Sequence, residues 1–255
     1  MPFVFIVLTA LMSRQQALST HYWPHPFVWG NFLHVSDLMP ILRDGWNSTV
    51  YAVLSSVGVV VSSVPVAYAL SRMRWRGRQA VFILVLSTLM LPDQVTSVPL
   101  YAIFVKFHWI GTLKPLIVPN FLGDAFSIFL LRQFFLTIPE ELADAARVDG
   151  AGEFRILTRV MVPLAKPAIA AVALFQFLYA WNDFYYPLLY AGNNPKTVTL
   201  AVGLSQLLQT ANVHYGVLWN VLMAGSVLFM APVIVIFFLA QRAFIEGVTL
   251  TGVKG

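Results

Sequence analysis

The apolar residues of this chain run in long blocks divided by short polar connectors, with no sustained alternation of the kind a half-buried strand shows. A helix rising 1.5 Å per residue needs about 20 such residues to cross a bilayer. The blocks therefore predict spans at 46–70, 80–101, 115–135, 167–190 and 217–240. In the first of these, Ala52 and Ser56, then Gly58 and Ser62, recur at four-residue spacing and would let a neighbouring helix approach closely, while Pro65 predicts a kink. The second is interrupted at Leu91-Pro92-Asp93-Gln94, a polar break tolerated only where the backbone faces protein or a water-filled cavity. The third carries Pro119, Asn120 and Asp124. Residues 2–12 are apolar but too short to span. They are either a re-entrant or interfacial segment or, in the preferred reading, the outer half of a first span. Residues 13–45, with Pro24, Pro26 and Pro40, read as an extracytoplasmic connector, and 191–216 as another loop.

One polar stretch stands apart, residues 137–163, TIPEELADAARVDGAGEFRILTRVMVP. Thr137 with Glu140 fits a capping box, and Pro139 sits where a first turn tolerates proline. Ala143, Ala145 and Ala146 favour helix, Gly150 is a natural helix stop, and a second helix is expected from about Gly152 to Val162, ended by Pro163. The stretch predicts a structured polar elbow of two short helices.

Composition narrows the class. A chain of 255 residues that is 58% hydrophobic and 11% charged, with mean hydropathy +0.75, belongs with all-α polytopic membrane bundles. Its net charge of +5 comes from basic residues that flank apolar blocks, a topology signal and not a nucleic-acid surface. Without cysteine there is no thiolate chemistry, and the five histidines are scattered without metal-ligand spacing. No phosphate-binding GxxxxGK[ST] loop and no catalytic constellation occur. Arg72, Arg74, Arg76 and Arg78 mark their loop as cytoplasmic. Of the 16 Lys and Arg, eleven then fall on that side, which also receives the elbow and the C-terminus.

The elbow resembles the signature loop of ATP-binding-cassette (ABC) importer permeases: Asp144-Ala145-Ala146, Gly150 at the required spacing, then Val160, Val162 and Pro163, with Asp144 in place of the usual Glu. Asn47-Ser48, Ala67 to Arg72, Trp75 to Arg78, Phe129 to Phe135, Trp181 to Phe184, Gln241-Arg242 and Gly252 to Gly255 are similar to carbohydrate permeases of the maltose type. The resemblance covers the chain from Pro2 onward. It implies a single transmembrane domain with a six-helix core whose first helix is cut short, which predicts that in-frame coding sequence upstream supplies its missing half. It implies a prokaryotic cytoplasmic membrane, a second homologous permease, an extracytoplasmic solute-binding protein docking on loop 191–216, and a separate ATPase dimer that binds ATP and Mg, with no cofactor on this chain. Glu141, Asp144, Ala145, Ala146, Gly150 and Pro163 would form the ATPase-coupling element.

The pathway candidates are Phe177, Trp181, Asn182 and Asp183, with Asp93, Gln94, Asn120 and Asp124. Phe177, Trp181 and Phe184 are spaced for one helix face beside an amide and a carboxylate, a set that suits a sugar's C–H faces and hydroxyls. Interfacial belts and helix packing give the same composition. The competing classes are an ion-coupled secondary transporter, for which the chain lacks a visible inverted repeat and dense intramembrane charge, and an ABC permease for a non-sugar solute such as glycerol phosphate.

Overall fold

In the computed structural model the backbone is described for residues 2–20, 22–214 and 218–249. Side chains are described for these except Asp93, 210–214 and 239–249. The matched motifs Gln241-Arg242 and Gly252 to Gly255 therefore lie outside the described side chains. The described backbone is helical with turns and no strand. In chain order the helices are α1 (Pro2–Ala10), α2 (Arg14–Ala17), α3 (Asn31–Leu38), α4 (Ile41–Ser71), α5 (Arg78–Thr88), α6 (Asp93–Lys106) and α7 (Lys114–Ile117). A 3-10 turn (Val118–Leu122) leads into α8 (Ala125–Thr137), α9 (Glu140–Val148) and α10 (Glu153–Ile156). A π-helical segment (Leu157–Met161) then leads into α11 (Val162–Leu164), α12 (Lys166–Asn182), α13 (Tyr185–Tyr190), α14 (Leu200–His214) and α15 (Trp219–Thr249).

Three stretches, Ile41–Ser71, Lys114–Thr137 and Trp219–Phe238, are each long and apolar enough to cross a membrane. Glu153–Leu164 with Lys166–Asn182 qualifies only as a pair bent by 79°. The expected 80–101 block is two helices. Leu89, Met90 and Leu91 tighten into 3-10 bonds, and Pro92, with no N–H and an extended ψ, starts α6 afresh. The 115–135 block stays within one candidate span but carries a 3-10 turn. Pro119 lies in the 3-10 turn, and Gly123, at φ +105°, ends it before α8. Loop 191–216 is a loop only as far as Thr199. Leu200, Val202, Leu207 and their neighbours carry a helical period that the flanking Gly-Asn-Asn-Pro run obscured.

The chain packs as two compact units. The first comprises residues 1–50, 111–113 and 181–238. Here Asn47 donates to the carbonyls of Lys196 and Val198 at 2.9 and 2.8 Å, and the Ser48 hydroxyl accepts from the Leu200 N–H at 2.8 Å, capping the start of α14. Asn31 donates to the Ala10 and Met12 carbonyls and accepts from Asn220.

The second unit consists mainly of residues 51–110 and 114–180. Its core gathers Val59, Val64, Ala67 and Tyr68 of α4 with Leu131 and Phe135 of α8 and Ile138, Ala143, Ile156, Leu157 and Met161 of the elbow. A methyl at Gly58 would stand 2.8 Å from the Phe121 ring, so this glycine is what lets α4 and the 3-10 turn meet. Ser62 fastens the same junction, donating to the Asn120 carbonyl at 3.1 Å.

Candidate functional site

The polar elbow folds as the two short helices its sequence predicts, with different ends. Thr137 is the last residue of α8, and its hydroxyl donates back to the Phe134 carbonyl at 2.7 Å, so the expected capping box with Glu140 is absent. Pro139 is the N-cap of α9, with extended ψ. At the other end, Pro163 does not stop the helix. The π-helical stretch shifts the Val162 N–H to the Leu157 carbonyl, and the helix turns through Pro163 and breaks at Ala165. One inserted residue re-aims the carbonyls that a proline would otherwise meet.

Gly150 closes α9 by satisfying its terminal carbonyls. The Ala151 N–H donates to the Ala146 carbonyl at 2.9 Å and the Gly150 N–H to that of Arg147 at 3.0 Å, with φ +78° at Gly150. This is a Schellman closure, which needs a left-handed residue at Gly150. Nothing lies within 4 Å of where a Cβ would stand, so backbone conformation alone requires the glycine.

The faces of α9 divide sharply. Ala143 is buried in the core and Ala146 packs against it. Glu141, Leu142, Asp144, Ala145 and Asp149 are exposed, as is Val148 at 88%; Phe154 of α10 is 78% exposed. Beside this surface an open groove of about 1170 Å³ is lined by Arg72, Arg74, Trp75, Arg78, Glu140 and Glu141, with Arg74 and Glu140 paired at 2.9 Å.

Charge ties the elbow together. Arg147 donates to Asp144 at 2.7 Å and to Glu153 at 3.1 Å, and the Tyr68 hydroxyl of α4 donates to the other Glu153 oxygen. Those bonds, that of Tyr68 first and Arg147 second, hold the Glu153 carboxyl below its ordinary range. The two carboxylates, Glu153 more than Asp144, raise the Arg147 guanidinium above its ordinary value. Two further arginines cap each other's helices. Arg72, at the end of α4, donates through Nε to the Phe135 carbonyl at 3.1 Å and through Nη2 to Phe135 and Ile138 at the end of α8. Arg132 of α8 donates to the Leu70 carbonyl of α4 at 3.0 Å and lies 3.9 Å over the Phe82 ring. The sequence offered these arginines only as charge; their capping depends on two helix ends meeting.

The pathway candidates separate. Asn120 accepts from Gln176 of α12 at 3.1 Å and donates to the Leu116 carbonyl at 2.7 Å. Gln176 was not among the residues singled out; its signal was an amide four residues before Ala180 in an otherwise apolar run. Asp124 accepts from the Ser127 N–H at 2.7 Å as the N-cap of α8. Trp181 is buried, donating to the Phe229 carbonyl at 3.1 Å with ring centroids 6.0 Å apart. The helix ends at Asn182, which is exposed, so Phe184 does not continue the Phe177–Trp181 face. Asp183 instead accepts from the Tyr186 N–H at 3.2 Å. Phe177 is half-buried and Gln94 exposed, and the Asp93 side chain lies outside the described residues. Among the described residues no His, Asp and Glu group is placed to hold a metal.

Apolar spans carrying a compact polar elbow with exposed apolar side chains define a multi-span helical membrane protein. Residues 45–249 match the family described as "Binding-protein-dependent transport system inner membrane component", and the chain belongs to that family. It is 39% identical over 210 residues to the arabinooligosaccharides transport system permease protein of Halalkalibacterium halodurans, covering 82% of this chain and 72% of that one. It is 37% identical over 206 residues to the sn-glycerol-3-phosphate transport system permease protein of Brucella abortus, covering 81% and 72%. In fold it matches a chain of a bacterial ABC transporter that imports the acidic polysaccharide alginate, at TM-score 0.85 and 24% identity over 95% of this chain and 90% of that one. The chain is a permease subunit of an ABC importer, a transport component and not an enzyme.

Proposed function

We propose that this chain pairs with a second permease to move a neutral carbohydrate across the inner membrane by alternating access, driven by a separate ATPase dimer that holds ATP and Mg. The elbow and C-terminus face the cytoplasm, where the excess of Lys and Arg falls. A solute-binding protein delivers cargo at the opposite face. The single observation that carries this reading is the exposure of Leu142, Val148 and Phe154 on a helix pair whose other side is built into the core of the spans. Apolar side chains so exposed on a rigid element mark a docking surface. Glu141, Asp144 and Ala145 border it, Gly150 sets its turn, and Pro163 lies in the bend that leads into α12. Leu142→Asp and Val148→Asp should each remove the ATPase subunit from the purified complex while leaving membrane insertion intact. An unchanged ATPase complement in both variants sinks the docking role.

Support for the solute class comes from the relative whose name specifies arabinooligosaccharides and from the Asn120–Gln176 amide pair, which offers donors and acceptors without charge. A phosphorylated solute calls for cationic donors, and this pair has none. Uptake into proteoliposomes should therefore favour neutral pentose oligosaccharides over sn-glycerol 3-phosphate. The reverse preference would overturn the assignment of class.

A further inference from the structure

We propose that Tyr68 and Glu153 are positioning residues that latch the elbow to α4, so that a displacement imposed on the elbow reaches the spans without being absorbed at the turn 149–152. The latch rests on the reading of the elbow as the ATPase-docking element. At that turn Asp149, Gly150 and Gly152 are exposed, and no atom lies within 4 Å of a methyl built at either glycine. Taken alone, α9 and α10 could pivot there. What spans the turn is Arg147, which reaches from α9 to Glu153 at the start of α10. Glu153 then uses its second oxygen for the Tyr68 hydroxyl, so one carboxylate joins both elbow helices to a span. The Tyr68 end is fixed in turn: the residue is 3% exposed and its ring stands edge-on to Phe135 at 6.3 Å.

Apolar packing from Ala143, Ile156, Leu157 and Met161 already holds the elbow against the spans. Such contacts are non-directional and allow small sliding, whereas a two-oxygen junction fixes an angle. Contiguous packed and hydrogen-bonded elements of this kind are what carry energetic coupling between distant sites.

The chain has no cysteine, so with partner subunits freed of cysteine, spin labels at Val61→Cys on α4 and Arg155→Cys on α10, both exposed positions, report the latch. The distance between them is measured in the assembled transporter in nanodiscs, nucleotide-free and after vanadate trapping of the ATPase. With the native latch the two distributions coincide. In Tyr68→Phe and in Glu153→Gln, trapping broadens the distribution about twofold as the turn yields locally. The double variant does no more than Glu153→Gln alone, because the Tyr68 bond ends on the carboxylate that Glu153→Gln already removes. Basal ATP hydrolysis and ATPase retention stay at the native level in both single variants. Unchanged distributions in both variants overturn the latch, as do additive effects in the double variant or a native distance that itself changes on trapping. Should Tyr68→Phe not assemble, Glu153→Gln, which preserves side-chain volume, reads the same junction from the elbow side. ATPase remaining bound to Leu142→Asp and Val148→Asp would count against the docking role separately, since those residues take no part in the latch.

Discussion

Gly150 shows what one residue of this chain does and why. Its φ of +78° closes α9, and the space around it is empty, so the cost of a side chain is conformational. A left-handed backbone costs most L-residues about 1–2 kcal/mol, asparagine less, and β-branched residues most. Gly150→Asn should therefore retain the ATPase subunit on purification and Gly150→Val should lose most of it; equal loss in the two would point to a steric role. Glu153 gives a pH prediction at the same scale. Its carboxyl is held low in the fold, so its contribution is complete above the unfolded value near 4.3 and disappears as pH falls through the folded one. The thermal stability of native protein should exceed that of Glu153→Gln at pH 7 by a margin that shrinks below about pH 4. The margin is small, because the pair with Arg147 is partly exposed and such pairs contribute about 0.2–1 kcal/mol. The spacing of Asp144-Ala145-Ala146 and Gly150 was legible in the sequence. Glu153 was not, because its partner Tyr68 lies 85 positions away.

At the scale of elements, helix ends decide more than helix middles. Arg72 and Arg132 exchange caps, each on the other's helix, so the ends of α4 and α8 are satisfied only together. Removing Arg72 leaves the Phe135 carbonyl only its long bond from the Ile138 N–H and strips the Arg72 donor from the Ile138 carbonyl, and an unsatisfied buried acceptor costs about 1–3 kcal/mol. Arg72→Met should therefore speed amide hydrogen exchange through the last turn of α8 and the start of α9, while α14 in the other unit exchanges at its native rate. The same reasoning explains the break inside the 80–101 block and the 3-10 turn inside the 115–135 block, neither of which apolar composition marks. The break at Pro92 is bonded locally, its carbonyl accepting from the Val95 N–H, whereas the turn around Asn120 is held in part by residues distant in sequence. Asn120 reaches Leu116 within its own turn, but Ser62 and Gln176 come from other helices.

For the whole molecule, the prediction concerns the Asn120–Gln176 pair. Gln176→Leu keeps the volume of α12 and removes the bond to Asn120 and, under the proposed pathway role, an amide that would meet the solute. Uptake of a neutral pentose oligosaccharide into proteoliposomes should fall at least about tenfold, the loss of about 1.4 kcal/mol or one charge-free hydrogen-bond site, with assembly unaltered. Unchanged uptake would assign the pair to helix packing. By itself the sequence determined the class, because runs of some 20 apolar residues have few uses outside a bilayer. It also determined the elbow, because a polar island with a glycine stop folds from local rules of capping and backbone conformation. Tertiary structure alone decided which arginines cap, which carboxylate joins two helices to a span, and which amides meet. These are bonds between residues tens of positions apart, and only the packing of the helices brings their short-range forces into reach.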